Sequence, residues 1–106
     1  MPVDVRELPV FARRLRQARE RAGISQRELS RRMSLDPDKS GPRMSQYESG
    51  VHMPHLETIE ALAKHLDVPV AFLFADSDRL AQMILTFSKL SVANQERLLR
   101  ALKRKS

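Results

Sequence analysis

Between Arg13 and Arg43 the chain carries ten basic side chains (Arg13, Arg14, Arg16, Arg19, Arg21, Arg27, Arg31, Arg32, Lys39 and Arg43) against four acidic ones, Glu20, Glu28, Asp36 and Asp38. Such a density of positive charge suits a polyanion, nucleic acid before others, because each cation can neutralise a phosphate. The charge is local. From Val51 to Ala75 only Lys64 opposes Glu57, Glu60 and Asp67, and the remaining basic run lies at the C-terminal tail. Other chemistries find less support. His52, His55 and His65 invite a metal, but Pro54 interrupts any common helix for the first two and no acidic ligand lies at a telling spacing. The absence of cysteine excludes disulfides and thiolate metal sites. No glycine-rich phosphate loop or Ser-His-Asp arrangement is visible, and three glycines leave little to build one. The residues therefore predict a binding protein, not an enzyme, with no metal and no cofactor.

These side chains need a scaffold, and its signals are helical, with strand-like alternation nearly absent. Phe11, Leu15, Ala18 and Ala22 share one face of a helix entered at Pro9 and ended by Gly23. Ser25 and Glu28 have the spacing of a capping box, opening a second helix with Leu29 and Met33 inward. Asp36, placed before Pro37, is biased away from helical angles, which ends that helix. Pro42 suits the first turn of a third helix, capped by Ser40 or Gly41, with Met44 and Tyr47 inward and Gly50 as its stop. Tyr47 is read as core, three residues after Met44 and four before Val51. Leu56, Ile59, Leu62, Ala63 and Leu66 line a fourth helix. "VPVAFLFA" at 68–75 fits a buried strand or a short helix equally well at that length. Beyond the candidate boundary "ADSD", Leu80, Met83, Ile84, Phe87 and Leu90 mark another helix, and Ser91 caps a last one bearing Leu98, Leu99 and Leu102.

A chain of 106 residues with a net charge of +6 is expected to form one modest core. Charges at Asp4, Arg6 and Glu7 spoil a signal peptide, and no apolar run is long enough for a membrane span, so a soluble, cytoplasmic protein is expected.

From Leu15 to Phe74 the chain resembles the helix-turn-helix domain of the lambda-repressor and Cro-like (XRE-type) regulators. The matching pieces are "LRQARERAGISQREL", "MSQYESG", the junction "ESGVHMP" and "LETIEALAKHLDVPVAFLF". The resemblance implies an all-α fold: a five-helix lambda-repressor-like helix-turn-helix domain over 9–75, in which "VPVAFLF" is the short fifth helix, followed by a C-terminal helical hairpin over 76–106. It implies double-stranded DNA as partner, read in the major groove by the helix 42–49. In the family a Gln at the start of the second helix contacts a phosphate and braces the recognition helix, and Gln26 holds that place. Its amide offers both donors and an acceptor. Ser25, Arg27, Arg16 and His52 complete the expected phosphate contacts. His52 stands where relatives often carry Arg or Lys.

Side chains directed away from Met44 and Tyr47 are free to read bases: Arg43, Ser45, Gln46 and Ser49. Arg pairs bidentately with guanine and Gln with adenine. Two early base-reading positions of the family align here with Gly41 and Pro42, which have no polar side chain. About four extra residues around "DPDKS" precede them, and Lys39 is the expected substitute reader. Asp36 and Asp38 would fold that turn. Leu80, Ile84, Phe87, Leu98 and Leu102 are expected to form a homodimer contact, since a two-fold dimer matches a palindromic site. The resulting expectation is a DNA-binding transcription regulator, a repressor acting on a palindromic operator. The alternative is an antitoxin or adaptor module that uses the same fold to hold a protein partner.

Overall fold

The computed structural model describes residues 8–33 and 37–105, without the side chains of 37–42. Among the described residues six α-helices and one 3-10 helix follow in order: α1 (Val10–Arg21), α2 (Gln26–Arg32), α3 (Pro37–Ser49), α4 (Leu56–His65), the 3-10 helix Val70–Phe74, α5 (Asp78–Ser88) and α6 (Val92–Lys105). Among the described residues there is no strand, and no helix is long and apolar enough to cross a membrane.

Phe11, Leu15 and Ala18 of α1 are buried with Leu29 of α2, Met44 and Tyr47 of α3, and Ile59, Leu62 and Ala63 of α4. Leu66, Val68, Phe72 and Leu73 close the same cluster, and Met33 packs on its edge. The apolar period sets this arrangement, because each helix must cover one stripe. The period overreaches at helix ends. Ala22 caps α1 and is exposed, Leu56 at the first turn of α4 is exposed, and Val51 beyond α3 stands in solvent. A helix end is buried only where another element covers it, as at Leu66 just past α4.

Three helices terminate alike. After α1, Gly23 N–H donates to the Glu20 carbonyl and Ile24 N–H to that of Arg19. After α3, Gly50 bonds back to Tyr47 and Val51 to Gln46, and after α4, Asp67 bonds to Lys64 and Val68 to Ala63. This paired closure needs a left-handed residue, and Gly23, Gly50 and Asp67 have φ of +72°, +82° and +55°. At Gly50 the freedom has a second use: a Cβ there would lie 2.8 Å from Pro9 Cδ, so the end of α3 sits directly on the entry to α1.

Two expectations about caps require correction. Ser25 Oγ accepts the Glu28 N–H at 3.0 Å, but the Glu28 carboxylate turns to Arg31 and Arg32, so only half of the capping box forms. The guanidiniums offer charge-assisted bonds that a neutral backbone N–H cannot match. The third helix begins at Pro37, not at Pro42, so neither Ser40 nor Gly41 is its cap. Both prolines suit a first turn, where the missing N–H is harmless; the chain uses the earlier one, and the residues read as a lengthened turn are helical from Pro37 onward. The expected roles of Lys39, Asp36 and Asp38 lie outside the described residues and side chains.

The C-terminal part begins with a capped helix: Ser77 Oγ accepts the Leu80 N–H at 3.1 Å. Ala81 of α5 joins the main core, and Ile84 and Leu85 pack against it. Ser91 caps α6 through the Asn94 N–H, and Gln95 Nε2 donates to the Phe87 carbonyl at 2.8 Å. No residue of α6 is buried.

Candidate nucleic-acid interface

Glu48 organises the face on which α1, α2 and α3 meet. It follows Met44 by four residues and Tyr47 by one, so the helical period turns it inward, and only 5% of it is exposed. Its two oxygens accept from Arg19 of α1, Oε2 from Nε at 2.5 Å and Oε1 from Nη2 at 2.9 Å. Oε1 also accepts from Gln26 Nε2 of α2 at 3.2 Å. One carboxylate thus ties three helices together, and the fork geometry of the guanidinium fixes its plane. Arg19 Nη1 additionally donates to the Ile24 carbonyl, holding the turn between α1 and α2. The Glu48 hydrogen bond raises the Arg19 pKa, so this cation stays charged.

Beside this clamp lies an open groove of about 430 Å³, lined by Arg16 and Arg19, Gln26, and Ser45, Glu48 and Ser49. Four of the expected DNA-contacting residues, Arg16, Gln26, Ser45 and Ser49, are therefore brought together from three helices. Gln26 meets α3 through a defined contact. Because its Nε2 is given to Glu48, the orientation of its amide is fixed, with one N–H still available.

The remaining candidates do not line the groove. Arg43 is exposed on α3, and Arg27 on α2; neither has a partner among the described residues. Gln46 is half-buried, and its backbone carbonyl accepts from Val51, His52 and the Ser49 hydroxyl. His52 is exposed immediately beyond α3. The Ser25 hydroxyl is occupied as the α2 cap.

The basic surface is smaller than the count of ten implies. Arg14 is buried, Arg19 is bound by Glu48, and Arg31 and Arg32 share the Glu28 carboxylate at 2.6 and 2.8 Å. Hydrogen bonds from the two arginines hold the Glu28 pKa down to about 2. Arg16 pairs with Glu20 at 2.8 Å on an exposed helix face, a contact weak enough to be exchanged for a phosphate. Glu48, Arg19 and Arg14 were not singled out by sequence reasoning. Spacing from Met44 was the available signal for Glu48.

Of the expected dimer residues, Leu80 and Leu102 are exposed, whereas Phe87 and Leu98 are half-buried and Ile84 is packed on the core. Met83, Val92 and Leu99 are further exposed apolar residues of α5 and α6. Among the described residues no three His, Asp or Glu side chains are grouped so as to hold a metal ion.

Residues 10–72 match the model of a helix-turn-helix domain. The chain belongs to the helix-turn-helix domain family. The match spans α1 to the 3-10 helix and includes every residue lining the groove except Leu8. The helix-turn-helix chain is also similar to the crystal structure of transcriptional regulator BswR, with 39% identity and a TM-score of 0.82 over 88% of this chain and 92% of that one. No curated protein matches it.

Proposed function

We propose that the protein is a sequence-specific, double-stranded DNA-binding transcription regulator of the cytoplasm that performs no catalysis. It binds a palindromic operator as a homodimer, laying α3 in the major groove and repressing by occupancy. The observation that carries this reading is the groove in which Arg16, Gln26, Ser45 and Ser49 converge beside the Glu48 clamp. Phosphate contacts fix orientation while side chains at base edges supply sequence preference. Gln26, Arg27, Arg16 and His52 serve the first role; Arg43, Ser45, Gln46 and Ser49 serve the second. The 39% identity to a transcriptional regulator supports the same reading. Selection of bound sequences from random duplex DNA by the purified protein tests it: a palindromic consensus is expected, and a bound pool with no enrichment would refute it. The exposed apolar face of α5 and α6 also favours a second reading, a module holding a different protein. A stable monomer that acquires DNA affinity only with a co-purified partner would establish that alternative.

A further inference from the structure

Arg14 lies on α1, but it is not part of the surface: only 2% of it is exposed. Its Nε donates to the backbone carbonyl of Ala75 at 2.8 Å, and its Nη1 to Asp78 Oδ1 at 3.0 Å and Gln17 Oε1 at 2.8 Å. The guanidinium also lies over the Phe72 ring, 5.9 Å from its centroid. Ala75 and Asp78 bracket the short passage from the helix-turn-helix domain into α5. Two residues further on, Leu80 opens the exposed apolar face of the extension.

We infer that Arg14 is a positioning residue that fixes the direction in which α5 leaves the DNA-binding domain, and with it the separation of the two recognition helices in the dimer. This rests on the reading of the α5–α6 face as the homodimer contact. A loose joint between a reading head and its dimer contact accepts half-sites at many spacings, whereas a rigid joint demands one. Two kinds of contact hold α5. Ala81, Ile84 and Leu85 press it onto the core, but apolar contacts have no direction and resist rotation poorly. The Arg14 fork is directional, with two nitrogens reaching acceptors on either side of the junction. A guanidinium buried to this degree cannot give up its acceptors without leaving a charge uncompensated. At the far end of α5, Lys89 pairs with Asp67 at 2.6 Å, but both partners are exposed and such a pair constrains little.

The test uses the full chain and duplexes bearing two copies of the selected half-site, with the distance between their centres varied one base pair at a time through about one helical turn of ten base pairs. Sedimentation equilibrium is run on each protein. The parent is expected to bind one spacing best and to lose about 100-fold when the second half-site is rotated out of reach, because bivalent attachment becomes monovalent. Arg14→Lys, which keeps the charge and loses the fork, should bind a single half-site as the parent does but flatten the spacing profile to within about tenfold. Asp78→Ala, which removes one of the two acceptors at the junction, provides the same test where the lysine variant does not fold, since the Asp78 side chain is 88% exposed and its loss disturbs no packing. Lys89→Gln should leave the profile sharp. Dimers of both Arg14→Lys and Asp78→Ala with the parent's profile would overturn the inference while leaving the dimer reading intact. A dimeric parent indifferent to spacing would overturn the inference alone, and a monomeric parent would overturn both.

Discussion

Replacing Glu48 with Ala removes the acceptor shared by Arg19 and Gln26, and the structure sets the scale of the loss. Deleting one member of a buried ion pair costs about 3–5 kcal/mol, because the partner keeps its desolvation without its compensation. Arg19 retains the Ile24 carbonyl, and 14% of its side chain reaches solvent, which places Glu48→Ala near the lower end, at about 3 kcal/mol. For a domain of this size that corresponds to a fall in melting temperature of roughly 12 °C or more. Arg19→Ala strands the carboxylate in turn and should destabilise to a similar degree. The double variant strands neither, so it should be no worse than either single one, with a coupling of about 3 kcal/mol. Urea unfolding followed by far-ultraviolet circular dichroism on the four proteins closes the cycle. If the two single losses added to within about 0.5 kcal/mol, the clamp would not act as a unit and the account of α1, α2 and α3 as one joined face would fail.

Gln46→Ala should weaken binding to the selected operator by about 1–3 kcal/mol and relax one base position, whereas Gln26→Ala should weaken selected and random duplexes alike; equal losses on both DNAs for Gln46→Ala would show that readout lies elsewhere. Gly50→Ala forces a side chain into φ +82° and against Pro9 Cδ at 2.8 Å, so thermal unfolding should show a loss of about 1–3 kcal/mol. The Glu28 carboxyl, held by Arg31 and Arg32 from its ordinary 4.5 down to about 2, contributes stability that is present above pH 4.5 and is lost as pH falls toward 2. Unfolding midpoints measured across that window should fall less steeply for Glu28→Gln than for the parent.

How much of this could be read from residues alone follows from what each signal measures. The apolar period reports burial, and it found Leu15, Leu29, Met44, Leu62 and Leu66 because a helix with one covered stripe writes that stripe into its sequence. The same rule could not mark where coverage stops, hence Ala22 and Leu56. Charge was counted as though every cation faced water. Arg14 and Arg19 are held by acceptors 61 and 29 residues away, and no local pattern carries such distances. Gln26 was legible through its family position, but its partner Glu48 was visible only as the first residue of the junction "ESGVHMP", with no role attached. The start of α3 was ambiguous in principle, since Pro37 reads equally as the end of one helix and the beginning of the next.

The unburied state of α6 has a consequence in time. Fourteen residues lie at the length where an isolated helix is marginal in water, and this one has no fully buried residue to add to that. Its amide hydrogens should exchange with solvent at rates set by fraying, while those of α1 and α4 wait for the core to open. A protease would find its first cuts there, after Arg97, Arg100 or Lys103. Any surface that covers Leu99 and Leu102 would slow both processes, so the exchange rate of this one helix reports, residue by residue, whether the face is occupied.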